Sequence, residues 1–515
     1  MITGEHSRSS LPHALYRTES VRALDRYAIE QGGVPGFELM SRAGRRAFRH
    51  LMRRWPLARH LTVLCGAGNN GGDGYIMAGL AVAQGLSVHC VAVGDPARLQ
   101  GDARSAWAQA QELGVQVQGI EASSWRECVD GADVIVDAML GTGLSGEVRD
   151  PYRTVFDYVA RSGKPVLAVD VPSGLCSDTG RVLGLAIRAE LTVTFIGMKQ
   201  GLLTAAAPDY VGELVFDDLG VGEMIEGVVS ADATRCDWPS VASLLPERKA
   251  ASHKGLFGRV LIVGGDCGMG GAAILAAEAA ARTGAGLVYL ATRPEHVTAA
   301  LTRCPDIQVT GVEHGSQLDA LLVGKDVVVV GPGLGQSAWG QQMLQRVMAW
   351  GGPCVADADA LNLLSRPGKA LQRENWILTP HPGEAARMLG ISTAEIGADR
   401  FSAVCRLAQC WGGVAVLKGA GTLIASRDAP VQVATTGNPG MAKGGMGDVL
   451  SGILGSLLAQ GLPAADVASL GVCLHGEAAD RLVSSFGYRG LLPQDLIAEI
   501  PSVLARAEAI GVAGA

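Results

Sequence analysis

Aromatic side chains are scarce, at 5% of 515 residues, and charged ones reach only 18%. A core must therefore be built from aliphatic residues. With 48% hydrophobic content, the low charge also excludes a disordered chain. Positive charge is not in excess: 43 Lys+Arg stand against 50 Asp+Glu, for a net charge of -7 and a pI near 5.8. No global basic field exists to attract nucleic acid, so an anionic ligand must be held by local devices. The eleven cysteines include no Cys-x-x-Cys pair. Cys65, Cys90 and Cys473 lie in apolar runs and read as buried, reduced thiols. The opening MITGEHSRSSLPHALY lacks the apolar stretch of a signal peptide. The apolar segment 270–283 is broken by Glu278 and Arg282, so no membrane span is expected. These absences predict a cytoplasmic protein without nucleic-acid or membrane partners.

Glycine, in contrast, is abundant at 70 residues, without the strict period of collagen. Its clusters follow hydrophobic runs, where tight phosphate-binding turns are expected. The chain is too long for one ordinary core, and both halves alternate β-branched runs with helical segments, the pattern of α/β layers. Strands are predicted at 61–65, 87–93, 134–137, 166–170 and 191–195, then at 259–263, 287–291, 327–330, 354–356, 376–378 and 414–417. Segment 220–246, with Asp237, Pro239 and Pro246 and no sustained period, reads as a connection. It places a boundary near Ala233 and defines domains 1–232 and 233–515. The motif order differs between the halves, which excludes an internal repeat.

In the first half, the run 61–65 enters Gly66-Ala-Gly68-Asn69-Asn70-Gly71-Gly72-Asp73-Gly74, ahead of a helical run from Tyr75. Gly66, Gly68 and Gly71 have the G-x-G-x-x-G spacing that lets a pyrophosphate approach a helix N-terminus. Asp95 follows where a ribose-binding acid would sit. Alone this is a weak signal, compatible with a ligand-free turn or a dehydrogenase. Asn69, Asn70 and Asp73 sharpen it, because an acid beside phosphates needs a compensating cation or donor. Two further strand ends carry Asp137-Ala-Met-Leu-Gly141-Thr142-Gly143-Leu144-Ser145-Gly146-Glu147 and Asp170-Val-Pro-Ser173-Gly. Asn70, Asp137 and Ser173 thus offer oxygens to a hard cation.

The set GxGNNGGDG, DAxLGTGL and DVPSGL resembles the NAD(P)H-hydrate epimerase family over roughly residues 15–225. The resemblance implies a Rossmann-like three-layer fold. It implies that Asn69, Asn70, Gly71, Gly72 and Asp73, the loop from Gly141 to Glu147 and Asp170 hold the hydrated dinucleotide. It also implies a potassium ion on Asn70, Asp137 and Ser173. Asp170, a carboxylate at a strand end, is the candidate acid/base for inversion at C6.

The second half carries Asn438-Pro-Gly-Met-Ala-Lys443-Gly444-Gly445-Met-Gly447-Asp448 before the apolar helix 449–459. Such glycines aim backbone N–H groups at one small space where a transferring phosphoryl group is stabilised. Asp448 is placed to take a proton from a hydroxyl. An acid at a helix start can also be only a cap, but a cap needs neither Gly445 and Gly447 nor a flanking Lys443. This GxGD turn resembles the ribokinase-like superfamily, where Lys418-Gly419-Ala420-Gly421-Thr422 would cradle an adenine nucleotide beside Gly447. Thr379-Pro-His381-Pro-Gly-Glu384 replaces the Thr-Pro-Asn-x-x-Glu of related vitamin kinases, with Glu384 a candidate Mg²⁺ ligand.

With the segments around Ala272, Thr283, Gly333 and Asp357-Ala-Asp359-Ala-Leu-Asn362, the second half resembles the ADP/ATP-dependent NAD(P)H-hydrate dehydratases over residues 240–510. The resemblance puts substrate near Ala272, Gly333, His381 and Asp448, and implies Mg²⁺, ADP or ATP as donor, and a homo-oligomer. A vitamin kinase with a regulatory front domain is the alternative, and a front domain serving as a scaffold in RNA processing is a second. TPHPGE argues against the first, and the acidic pI together with Asp137, Asp170 and Ser173 against the second.

Overall fold

Val134–Ala138, Val166–Val169 and Leu191–Phe195 are buried at every position. Strands of this kind must be covered on both faces, which is the situation of a parallel sheet between helical layers. The computed structural model describes residues 11–122, 124–366 and 372–513, and shows this arrangement twice. The chain forms two compact units, one ending at Thr234 and the other starting at Arg235.

The front unit holds β1 (His60–Cys65), β2 (Ser87–Ala92), β3 (Val117–Gly119), β4 (Val134–Ala138), β5 (Val166–Val169), β6 (Leu191–Phe195) and β7 (Glu213–Asp217). Their order is β3-β2-β1-β4-β5-β6-β7, parallel throughout. Strand order reverses between β1 and β4, and ligands of open α/β sheets gather beyond such a point. One face is covered by α1 (Thr18–Glu30), α2 (Gly36–Arg54), α3 (Asn69–Ala83) and α4 (Gly101–Glu112) through Leu24, Phe48, Tyr75 and Ala106. The other is covered by α5 (Trp125–Gly131) and α6 (Tyr152–Ser162) through Trp125 and Phe156.

The rear unit holds β8 (Arg259–Val263), β9 (Leu287–Thr292), β10 (Gln308–Gly311), β11 (Val327–Val330), β12 (Cys354–Ala356), β13 (Trp376–Leu378), β14 (Val414–Leu417), β15 (Thr422–Ala425) and β16 (Val431–Ala434). Their order is β16-β15-β14-β13-β12-β11-β8-β9-β10. Pairing is parallel except at β14–β15 and β15–β16. The helices that frame the site are α7 (Gly270–Arg282), α8 (Ala338–Trp350), α9 (Ala358–Leu364), α10 (Pro382–Leu389), α11 (Arg400–Trp411), α12 (Met446–Ala459) and α13 (Ala464–Gly490). α7 and α12 touch backbone to backbone, since a side chain on Gly452 would stand 2.1 Å from the Ala276 carbonyl oxygen.

Segment 220–246 is more ordered than its composition suggests. It forms helical turns at Gly222–Ile225 and Trp238–Val241 and a strand at Ala233–Cys236. Ile225 joins the front core, while Trp238 and Val241 join the rear one. Asp237 and Pro239 do not mark a loose tether: Asp237 caps the second turn by accepting from Ser240 N, with Pro239 inside its first turn. All eleven cysteines are free thiols, most of them buried. Among the described residues, no helix is long and apolar enough to cross a membrane.

Candidate active sites

In the front unit, α3 begins at Asn69, not at Tyr75, so Asn69–Asp73 is its first turn and not a loop before it. Glycine makes this possible. A side chain on Gly71 would lie 2.1 Å from the Gly66 carbonyl oxygen, and one on Gly66 would lie 1.8 Å from that of Met139. The turn is a helix N-terminus that directly follows β1, a position suited to an anion. Asp95 is spent elsewhere: it accepts from Ala97 N at 2.9 Å and caps a short 3₁₀ turn.

Asp137 at the end of β4 is fully buried and bound to Ser173. Ser173 N donates to its Oδ2 at 2.8 Å and Ser173 Oγ to its Oδ1 at 2.6 Å. Burial pushes the Asp137 carboxyl up to about 6 despite these bonds. Asn70 is buried beside Gly141, and neither amide atom of its side chain has a partner. A buried carboxylate without a counter-charge, next to an orphaned amide oxygen, is a donor set that fits a monovalent cation. Thr142, Gly143, Leu144, Ser145, Gly146 and Glu147 continue the chain from Gly141. The Arg22 guanidinium of α1 lies 3.7 Å from where a side chain on Gly143 would start.

Asp170 leaves the predicted strand one residue early, with φ 66° in the left-handed region. That turn brings its Oδ1 to the ammonium of Lys199, 2.5 Å away and 1% exposed as a residue. Lys199 Nζ also donates to Thr194 Oγ1 at 3.1 Å and the Phe195 carbonyl at 2.9 Å. Burial, then the charges of Asp170 and Asp25, hold the Asp73 carboxyl well above its usual range. Asp25 of α1 is pushed up to about 6, again chiefly by burial, with Lys199 opposing. The upward shift of Asp73 eases its conflict with a phosphate. Asp73 belongs to a cluster of three carboxyl groups, with Asp25 and Asp170, that share the field of the Lys199 ammonium. Lys199 and Asp25 carry no motif that sequence reasoning could have found.

In the rear unit, Gly445 at φ 94° starts α12, and Asp448 is in its first turn. Burial and the charge of Asp357 push Asp448 up to about 7, with Lys418 opposing. Lys418 Nζ donates to Asp357 Oδ1 at 2.7 Å, and Ser451 Oγ to Asp357 Oδ2 at 2.7 Å. A side chain on Gly447 would begin 3.2 Å from Lys418 Nζ. The cation at this turn is thus Lys418. Lys443, which the motif suggested, is turned away and donates to the carbonyls of Arg489 and Leu491 at 2.5 and 2.7 Å.

Below the turn from Lys418 to Thr422, Gly419, Ala420 and Gly421 included, lies buried Arg400. Its Nη2 donates to the Leu417, Lys418 and Gly421 carbonyls at 3.2, 3.4 and 3.4 Å. Burial lowers its guanidinium to about 10.

Ala272 and Gly333 are neighbours, 3.2 Å apart when a side chain is placed on Gly333, whose φ is 58°. His381 caps α10, its Nδ1 accepting from Gly383 N at 2.9 Å and its Nε2 lying 3.3 Å from Glu384 Oε1. Glu384 Oε2 accepts from His381 N at 2.8 Å, and burial pushes this carboxyl up to about 7. Oε2 is thus engaged in capping the helix, while Oε1 has only the His381 ring beside it. Among the described residues, no group of three His, Cys, Asp or Glu is placed to hold a metal. Asp357, quoted only as part of a motif, emerges as the centre of this site.

Fold and sites together define a two-centre enzyme: a Rossmann-like unit with a glycine-rich turn opening a helix, then a kinase-like unit with a GxGD turn opening another. The family model described as "YjeF-related protein N-terminus" matches residues 36–201, and that described as "NAD(P)H-hydrate dehydratase" matches residues 260–502. A bifunctional NAD(P)H-hydrate repair enzyme of Coxiella burnetii is 48% identical over 482 residues, covering 94% of this chain and 97% of that one. Its Escherichia coli counterpart is 45% identical over 502 residues, covering 96% and 95%. A solved ribokinase-like superfamily protein of Enterococcus faecalis is 30% identical with TM-score 0.50, covering 53% of this chain and 95% of that one. The chain belongs to the bifunctional NAD(P)H-hydrate repair enzymes, with an epimerase in front and a nucleotide-dependent dehydratase behind.

Proposed function

We propose that ADP, as its magnesium salt, is the phosphoryl donor, and that the epimerase feeds the S hydrate to the dehydratase. In the rear site Asp448 accepts the proton of the C6 hydroxyl while that oxygen takes the β-phosphoryl group, and AMP leaves. The C6–O bond then breaks as phosphate departs, pushed by the ring nitrogen, and loss of the C5 proton restores the dihydronicotinamide. The Gly444–Gly447 amides and Lys418 stabilise charge on the transferring group. Gly447 and the turn from Lys418 to Thr422 hold the nucleotide, and Ala272, Gly333 and His381 the substrate.

In the front site, Asn69–Asp73 and the loop from Gly141 to Glu147 bind the hydrated dinucleotide. Asp170, paired with Lys199, moves the proton that labilises C6. Asn70, Asp137 and Ser173 would hold potassium, which when bound supplies fixed positive charge beside the dinucleotide. The observation carrying the reading is Asp448, a half-buried base poised near pH 7 on a turn of free amides.

The test is recovery of dihydronicotinamide absorbance from separate R and S hydrates, with ADP or ATP, in potassium or tetramethylammonium buffer. Recovery from both epimers that is faster with ADP, and slower from R alone without potassium, is expected. Recovery with ATP only would overturn the donor assignment, and potassium independence would overturn the cation site.

A further inference from the structure

Beside the rear site, a cleft of about 570 Å³ is lined by Gln336, Asn362, Ser365, Arg366 and Arg387. None of these residues has a part in the chemistry described above. Its volume falls in the range of small-molecule sites. Two guanidiniums face it, each held by a neutral amide: Arg366 Nη2 donates to Gln336 Oε1 at 3.3 Å, and Arg387 Nε to Asn362 Oδ1 at 2.8 Å. An amide fixes the direction of a guanidinium without cancelling its charge, and leaves its remaining N–H groups for a ligand. The nearby acid, Asp359, is itself engaged, accepting from Gly335 N at 3.0 Å and Asn362 Nδ2 at 3.4 Å.

The cleft adjoins the substrate side of the site. Gln336 is three residues beyond Gly333, and Arg387 is on the helix that His381 caps. Arg387 Nη1 lies 3.7 Å from where a side chain on Gly383 would start. Burial, then Lys418 and Arg387, lower the His381 imidazole, which places that guanidinium within electrostatic reach of the ring.

We propose that this cleft receives the phosphate-bearing adenosine half of the hydrated dinucleotide, with Arg366 and Arg387 clamping a phosphate group. The proposal rests on the rear unit being the hydrate dehydratase, with substrate at Gly333 and His381. A dinucleotide anchored at one end by Asp448 needs a second anchor for its charged remainder, and paired arginines match phosphate geometry as lysine does not.

The experiment is steady-state dehydration by the full-length chain, with saturating ADP and either the S hydrate of NADPH or that of NADH. Arg366→Ala, Arg387→Ala, the double variant and Arg366→Lys are compared with Arg346→Ala as an exposed control. Each alanine should raise the hydrate KM about 10-fold or more, the loss of one charge-assisted bond. The kcat and the KM for ADP should stay within about twofold of wild type, the range expected if transition-state contacts are untouched. Lysine should restore only part of the loss. A rise confined to the NADPH hydrate assigns the 2′-phosphate to the clamp, and an equal rise for both assigns the pyrophosphate. A folded double variant with unchanged KM for both hydrates overturns the proposal. A wild-type chain without nucleotide-dependent recovery would instead remove the reading on which it rests.

Discussion

Asp448 meets opposed demands. As a base it must be ionised at working pH, yet burial and Asp357 favour its protonated form and set its pKa at about 7. Dehydratase kcat/KM should therefore rise with pH and level off above about pH 7. Stability runs the other way. A carboxyl raised in the folded state contributes fully below its unfolded value near 3.8, and that contribution is lost as pH rises towards 7. Asp448→Asn should lower turnover ~10²–10⁴-fold. Compared with wild type it should melt higher at pH 8, by about 1–3 kcal/mol of stability after screening, with the gap closing below pH 4. Kinetics and melting curves across pH check both.

Lys199 makes the converse case. Lys199→Met leaves Asp170 and Asp25 without their buried cation and should cost about 3–5 kcal/mol along with epimerase activity. Adding Asp170→Asn should return much of the melting temperature and none of the activity. These two residues also show where sequence reading stops. Asp170 was legible because it ends an apolar strand before Pro172 and Ser173. Lys199 was not, because only the left-handed backbone at Asp170 and the fold of 194–199 bring ammonium and carboxylate together. The lysine of the rear site was legible, but its side chain points to Asp357 and not out of the turn.

At the scale of elements, strands buried on both faces were readable to within a residue or so, since a continuous apolar run has one good use in such a chain. Other strands were not: Gln308–Gly311 alternates exposed and half-buried positions, Val117–Gly119 is half-buried throughout, and the buried Thr422–Ala425 and Val431–Ala434 were missed because 418–422 read only as a nucleotide turn. The start of α3 was misplaced because Asn-Asn-Gly-Gly-Asp-Gly has poor helix propensity. Tertiary approach overrides it, with Gly71 and Gly74 packed against Gly66 and Ala138.

The α7–α12 contact offers a matched test of this logic. Gly452→Ala would force a carbon to 2.1 Å from the Ala276 oxygen, whereas Gly271 in α7 has open space around it. Gly452→Ala should destabilise by about 1–3 kcal/mol. Gly271→Ala should stabilise by about 0.5–1 kcal/mol, through lower backbone entropy in the unfolded chain. Denaturant titrations of the two variants should move in opposite directions.

At the scale of the molecule, each unit carries its own core and its own charged cluster, so damage to one site should leave the other intact. A mixture of Lys199→Met and Asp448→Asn chains should repair R hydrate with ADP, though neither chain alone does so faster than spontaneous epimerisation. An absorbance time course measures this directly. Failure of the mixture would mean that the intermediate must pass between sites of a single chain.

The two sites also share a proportion: one lysine among three carboxyl groups, the buried Lys199 with Asp25, Asp73 and Asp170, and the half-buried Lys418 with Asp357, Glu384 and Asp448. In the rear site two of those acids titrate near pH 7. The rear site is thus a small buffer held by the protein. Arriving phosphates raise the carboxyl pKa values further, so the nucleotide must enter with protons drawn from solvent. The heat of ADP binding at neutral pH should then change with the ionisation enthalpy of the surrounding buffer, by an amount that counts those protons.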